Sequence, residues 1–281
     1  MVVELKVIAG DRMDEALMNL SLEEKVEKSK EVITEGLEKY GDNSIIAYTG
    51  GKDSTLMLWM IRDVCKERGV EVPELMFINE GHVFEEVVSF VYEIAEKWGL
   101  KFTEVKNEDV LRQAKEVGDI VYVDRLDEVN RAELAKLGFT EKSFPFEPES
   151  YVGNHLMKTV AMNNFLSSRN VEAVFTGIRW DEQEARRDET YFSPRDEPMH
   201  VRVHPILHFT EREVWDALKK HDIPTASLYA KGYRSLGAKG TTTKTSDLPA
   251  WEQDLENTVE RAGRRQDKEG IMKRLRDLGY M

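Results

Sequence analysis

Short apolar, β-branched runs alternate along the chain with longer stretches in which apolar side chains recur every three or four positions. The short runs at 44–48, 74–78, 102–105 and 171–176 predict buried strands, and 200–204 alternates as a strand would. The helical rhythm predicts helices over 55–68, 83–98 and 155–168. Two further helices carry their own start signals. Ser21 with Glu24, and Thr210 with Glu213, form capping boxes, in which each side chain satisfies the other residue's free backbone N–H. They predict helices over 22–40 and 211–220.

Strands alternating with helices of this length predict an α/β fold, a parallel sheet with helices on both faces and right-handed crossovers. The pattern breaks three times. Residues 107–150 are acidic and irregular, which predicts a peripheral insertion. Residues 177–199 are highly charged and lack an apolar period, which predicts a long functional loop. After Pro224 the chain is polar and turn-rich until a basic, helix-like segment at 261–278. The expected organisation is a helical N-terminal extension (1–43), a central α/β domain (44–222) and a C-terminal lid or tail (223–281), without internal repeats.

Composition narrows the function classes. A chain of 281 residues buries a core without staples. Its 53 acidic and 40 basic residues give a net charge of −13, a field that repels polyanions and argues against direct nucleic-acid binding. The one cysteine, Cys65, falls on the apolar period of a helix and reads as a core residue. A single cysteine excludes an internal disulfide, a four-cysteine zinc site and a four-cysteine iron–sulfur cluster. No stretch approaches the ~20 apolar residues of a membrane span, and the acidic N-terminal stretch is unlike a secretory signal. A cytoplasmic location is the expectation.

The strongest chemical signal is Thr49-Gly50-Gly51-Lys52-Asp53-Ser54, between a predicted strand and a predicted helix. A glycine-rich turn at a helix N-terminus collects backbone N–H groups and the positive end of the helix dipole, which suits a phosphate. Glycines in an ordinary strand-to-helix turn would need neither the lysine charge nor the serine hydroxyl. The spacing is not that of the P-loop, G-x-x-x-x-G-K-[ST]. A second signal is the charged stretch from Arg179 to Asp196, with Arg179, Arg186, Arg187 and Arg195 among Asp181, Glu182, Glu184, Asp188 and Glu189. It is either a solvated loop with weak ion pairs or, being placed after a buried strand, an oxyanion site. His200, His204 and His208 are regularly spaced, but a strand and loop do not converge them on a metal as one helical face would.

These motifs together resemble a known family. TGGKDS resembles the loop of the PP-loop ATP pyrophosphatases, of adenine-nucleotide α-hydrolase-like fold, which cleave ATP between the α and β phosphates. Residues Asn79 to Phe84 resemble the turn after the second strand in the phosphoadenylylsulfate reductase branch. Gly177-Ile178-Arg179 followed by Glu182, Arg186 and Arg187 resembles that branch's G-x-R-x-x-E…R signature, and 201–215 its R-V-x-P-L…T-E segment. Tyr233-Arg234-Ser235-Leu236-Gly237, Glu260-Arg261-Ala262-Gly263-Arg264 and Gly279-Tyr280-Met281 resemble the end of sulfate adenylyltransferase small subunits. Ala238 stands where that tail carries cysteine, and no thiol follows Cys65, so reduction by a thiol of this chain is excluded.

The resemblance implies ATP and Mg²⁺ as cofactors and an ATP pyrophosphatase, an adenylyltransferase of sulfur metabolism, as the activity. It implies catalytic roles for Lys52, Asp53, Arg179 and Arg187, with Asp53 as the magnesium contact. It implies nucleotide or pyrophosphate contacts from Thr49, Gly50, Gly51, Lys52, Asp53, Ser54, Asn79, Gly177, Arg186, Arg234, Arg261 and Arg264. Three readings stay open. Sulfate, or another oxyanion, is adenylylated with a GTPase subunit as partner; ATP cleavage serves sulfur-transfer proteins, as in DNA phosphorothioation systems; or the chain binds nucleotide without turnover. A homodimer is compatible with each.

Overall fold

The computed structural model describes residues 13–264, and its backbone follows the sequence rhythm closely. After one helical turn, α1 (Glu15–Met18), the Ser21–Glu24 capping box starts α2 (Leu22–Tyr40). Strand β1 (Ser44–Ala47), helix α3 (Lys52–Arg68), strand β2 (Glu74–Ile78), helix α4 (Glu85–Lys97) and strand β3 (Phe102–Val105) follow. Residues 107–150 carry α5 (Glu108–Leu111), β4 (Ile120–Tyr122), α6 (Glu128–Lys136) and β5 (Ser143–Pro145). Helices α7 (Tyr151–Asn154) and α8 (Ala161–Arg169) are joined without a break by a π-helical segment, His155–Val160. Strands β6 (Ala173–Phe175), β7 (Phe192–Asp196) and β8 (Met199–Val203) precede α9 (Glu211–Lys220), which begins at the Thr210–Glu213 capping box.

Six strands form one sheet in the order β3-β2-β1-β6-β8-β7. Neighbours are parallel except β7, which runs antiparallel to β8. All four residues of β1 are buried, as a strand covered on both faces requires. Ile46 and Tyr48 face one layer, α2, α3, α4 and α9, whereas Ile45 and Ala47 face the other, α8. The insertion builds a cluster of its own around Val121, Leu134, Phe144 and Phe146, and closes it on Leu156, Met157 and Val160 of the π-helical segment.

The structure corrects the loop expected over 177–199. Strand β7 lies inside it and pairs from Phe192 to Asp196 with β8. Its sequence, FSPRD, has no apolar alternation, and a proline is tolerated because the strand is at the sheet edge. The expected N-terminal extension and tail are both built into the main core, through Val32, Ile33 and Leu37 at one end and Leu228, Tyr229 and Ala250 at the other. The basic helix expected over 261–278 falls mostly outside the described residues; its start is a short 3₁₀ turn, Glu260–Gly263.

The chain leaves β1 towards β2 and β3, then crosses back to place β6 on the other side of β1. The strand order therefore reverses between β1 and β6. In parallel sheets the crevice beyond the strand C-termini at such a switch is where ligands sit.

Candidate functional site

At that switch, residues 49–54 turn from β1 into α3. Gly50 has φ +72°, and a Cβ there would lie 2.8 Å from Val91, so only glycine fits both the backbone and the space. The turn is tied by side chains. The Ser54 hydroxyl donates to the Gly51 carbonyl (3.0 Å), and the Thr49 and Ser54 hydroxyls are 3.0 Å apart. The Lys52 backbone N–H donates to the Tyr229 hydroxyl (2.8 Å), which anchors the first turn of α3 to the C-terminal segment. Gly177, at the end of β6, sits so close to this turn that a Cβ would be 2.9 Å from the Ser54 backbone.

Behind the turn lies a buried charge cluster. Lys52 and Arg179 are 1% and 0% exposed, and the Glu260 carboxylate bridges them, accepting from both. Arg179 also donates to Asp53 and to Asp181 (2.8 Å), and Asp181 accepts the Glu211 backbone N–H at the start of α9. The Lys52 ammonium is 3.5 Å from Asp53 and 3.7 Å from Glu211. Burial alone would lower the Lys52 pKa, but Glu260, Tyr229 and Glu211 outweigh it and the ammonium is held charged. Burial likewise opposes ionisation of Glu260, and Arg179 and Lys52 overcome it, holding the carboxyl well below its usual range.

In front of the turn is a cavity of about 260 Å³. Thr49, Gly51, Lys52, Asp53, Ser54 and Gly177 line it, with Arg186, Arg261 and Arg264 from the charged loop and the tail. Ala47, Met76, Ile78 and Met162, which share one apolar cluster, line it too. Arg186 pairs with Glu182, and Arg261 with the same carboxylate at 3.2 Å. Arg264 pairs with Glu149 (3.0 Å) and donates to the Leu236 carbonyl.

Five expected site residues stand differently. Arg179 lies beneath the cavity as part of the buried cluster, not on its wall. Arg187 is exposed and does not line it. Arg234 is buried and spends its guanidinium on Glu211 (2.6 Å) and the Leu255 and Thr258 carbonyls, so it braces the tail. Asn79 shapes the turn after β2, donating to Glu104 (2.7 Å) and accepting the Gly81 N–H. Gly50 supplies backbone geometry and is not on the cavity wall.

Other wall residues escaped the sequence reading. Tyr229 and Glu260 come from the polar tail, and only Glu260 carried a signal, in the E-R-x-G-R pattern. Lys158 and Thr159 are presented by the π-helical segment, a distortion common at functional sites; Lys158 pairs with Glu80 (2.9 Å) and Glu149 (3.1 Å). Thr176, at the end of β6, also lines the wall. Among the described residues no cluster of three or more histidine, cysteine, aspartate or glutamate side chains is arranged to hold a metal, and none of the helices is long and apolar enough to cross a membrane. Cys65 is buried in α3, and burial pushes its thiol up to about 11.

Comparison with known proteins gives a consistent picture. Residues 43–244 match the model of the phosphoadenosine phosphosulfate reductase domain. A curated protein of Maricaulis maris named sulfate adenylyltransferase subunit 2 is 26% identical over 218 residues, covering 69% of this chain and 62% of that one. The chain thus spans about three fifths of that relative. Among solved structures, Candida glabrata FMN adenylyltransferase with FAD and inorganic pyrophosphate superposes with TM-score 0.62 at 16% identity, covering 90% of this chain and 94% of that one. Phosphoadenylyl-sulfate reductase from Candida auris gives 0.55 at 18% identity, covering 82% and 93%. The fold is that of the adenine-nucleotide α-hydrolase-like proteins, and the proteins named here are enzymes.

Proposed function

The chain belongs to the phosphoadenosine phosphosulfate reductase domain family, and on that premise we propose that it cleaves ATP between the α and β phosphates, transferring the adenylyl group to an oxyanion. One observation carries this reading: one cavity is lined by a glycine-rich helix N-terminus, three arginines and the apolar cluster of Met76, Ile78 and Met162. That polarity suits a nucleotide whose pyrophosphate portion lies on the turn and whose base lies among Met76, Ile78 and Met162.

Catalysis in this reading is positioning and electrostatics. Attack of the acceptor oxygen on the α phosphorus breaks its bond to the bridging oxygen, and charge builds on the departing pyrophosphate. The N-terminus of α3, Lys52, Arg186, Arg261 and Arg264 stand where they would offset that charge. Arg179 acts from behind, fixing Asp53 and Glu260. Magnesium held by phosphates and water needs only one or two carboxylates, and Asp53, on the wall beside the turn, is the residue that would reach it; the ion would neutralise phosphate charge. The only thiol is buried and protonated, so nothing here supports a cysteine nucleophile. Sulfate is the first acceptor to test, because the Maricaulis maris relative carries that substrate in its name; that name also describes a subunit, which supports a partner protein.

Lys52→Ala should lower release of AMP and pyrophosphate from ATP by about 100-fold or more. Turnover would be measured with and without sulfate, on protein shown by circular dichroism to be folded. Sulfate-dependent release supports sulfate as acceptor, and sulfate-independent release supports another. Pyrophosphate release undiminished by the substitution sinks the assignment.

A further inference from the structure

The first N–H of α3 is taken by a side chain. Lys52 N–H donates to the Tyr229 hydroxyl at 2.8 Å, and a backbone N–H can only donate, so the direction of this bond is fixed. Accepting it leaves the hydroxyl's own proton unspent. Among the described residues no acceptor stands within hydrogen-bond distance of that oxygen to take the proton. Tyr229 is 2% exposed, and its ring is held edge-on by Trp215 at 5.0 Å between centroids. Burial raises its pKa, so the proton is retained at neutral pH. A buried donor without an acceptor is costly and calls for an explanation.

Gly51 supplies one. Its φ of −75° and ψ of 157° are open to any residue, so the backbone does not require glycine there. Beyond its chain neighbours, a Cβ on Gly51 would meet two hydroxyl oxygens within 4 Å, Thr49 Oγ1 at 3.2 Å and that of Tyr229 at 3.5 Å. The glycine keeps open a space that both hydroxyls border, and Thr49, Gly51, Lys52 and Tyr229 all line the cavity. A ligand atom in that space meets the Tyr229 proton and must accept it. The Lys52 ammonium, 5.9 Å from the Tyr229 ring, favours an anionic acceptor.

We propose that the Tyr229 hydroxyl donates a hydrogen bond to an oxygen of the bound pyrophosphate group, relaying the N-terminal field of α3 from Lys52 N–H to the ligand. The inference rests on the nucleotide reading given above. Hydrogen bonds in series strengthen one another, so a phenol that accepts from a helix N–H is a better donor than a free one. The contact gains strength as charge builds on the departing pyrophosphate.

The test measures pyrophosphate binding to the full chain by calorimetry at pH 7. Tyr229→Phe keeps the ring and removes the hydroxyl, and should weaken binding about 10- to 100-fold, the worth of a hydrogen bond to a charged group. That substitution also strips Lys52 N–H of its acceptor, so a second variant separates donation from bracing. Tyr229→3-fluorotyrosine makes the hydroxyl a stronger donor and a weaker acceptor, and should tighten binding. If Tyr229→Phe does not fold, the fluorotyrosine protein decides alone. Undiminished binding in Tyr229→Phe overturns the inference, and so does weaker binding by the fluorotyrosine protein, the result that bracing alone would give. Both leave the nucleotide reading standing. Wild-type protein that binds neither pyrophosphate nor ATP overturns both.

Discussion

Glu260 is the member of the buried cluster whose removal has the most readable consequence. Its carboxylate bridges Lys52 and Arg179, which have almost no exposed surface, and it is itself only 8% exposed. Glu260→Gln keeps the shape but deletes the charge, leaving two buried cations to share Asp53, Asp181 and Glu211. Breaking a buried pair in this way costs about 3–5 kcal/mol, since the remaining charge has lost solvent and partner alike. The amide oxygen still accepts one hydrogen bond, so the lower figure, about 3 kcal/mol, is expected. For a protein of this size that corresponds to a fall in Tm of about 6–12 °C. The same loss helps an incoming anion. On the proposed function, pyrophosphate would compete with Glu260 for Lys52 in the wild type and would enter an uncompensated positive site in the variant. Differential scanning fluorimetry over a pyrophosphate titration checks both parts: a lower Tm without ligand, and a larger ligand-induced rise than in the wild type. At a concentration 100 times Kd the ligand contributes about 2.7 kcal/mol, enough to recover most of the deficit. A variant that melts with the wild type refutes the energetic argument. One that gains less from pyrophosphate than the wild type refutes the competition, and would make Glu260 part of the productive anion site.

Two further outcomes are expected. Arg187→Ala should leave nucleotide turnover within about twofold, because an exposed side chain away from the wall contributes little. Arg186→Ala should reduce turnover at least about tenfold, and equal losses in the two variants would contradict the placement. Burial depresses His200, His204 and His208 to about 4 in the folded protein, against about 6.5 unfolded. The unfolded chain therefore binds more protons below pH 6.5, and stability falls as pH drops from 6.5 towards 4, by about 1.4 kcal/mol per unit for each histidine. Urea unfolding at pH 7, 6 and 5 measures this; stability unchanged across that range would refute it.

How much of this was legible in the sequence varies by element. Strand β2 is visible to the residue, because a strand between two neighbours leaves a nearly continuous apolar run, ELMFI; the bounds of β3 match as well, although this edge strand, FTEV, is mostly half-buried. Helices α2 and α9 are visible from their capping boxes, which are local hydrogen-bonding units that need no tertiary partner. The turn at 49–54 is legible for the same reason: the need for glycine at Gly50 and for a helix start at Lys52 is local. Strand β7 was not legible, since an edge strand carrying Pro194 has its pairing decided by β8 and not by its own residues.

What the sequence determined by itself, then, is the α/β alternation and the glycine turn that starts α3, because apolar period, capping and glycine geometry act within a few residues of chain. The roles of the charged residues were decided by tertiary structure. Arg179, Arg186, Arg187 and Arg234 are alike as letters, yet one is sealed beneath the turn, one lines the cavity, one faces solvent and one braces the tail. Burial and the carboxylates met set that difference, and the ones that decide the two buried arginines lie farther away in sequence: Glu260 beside Lys52 and Arg179, and Glu211 beside Arg234. Charge acts through space at a strength set by desolvation, so its meaning appears only when the chain has folded around it.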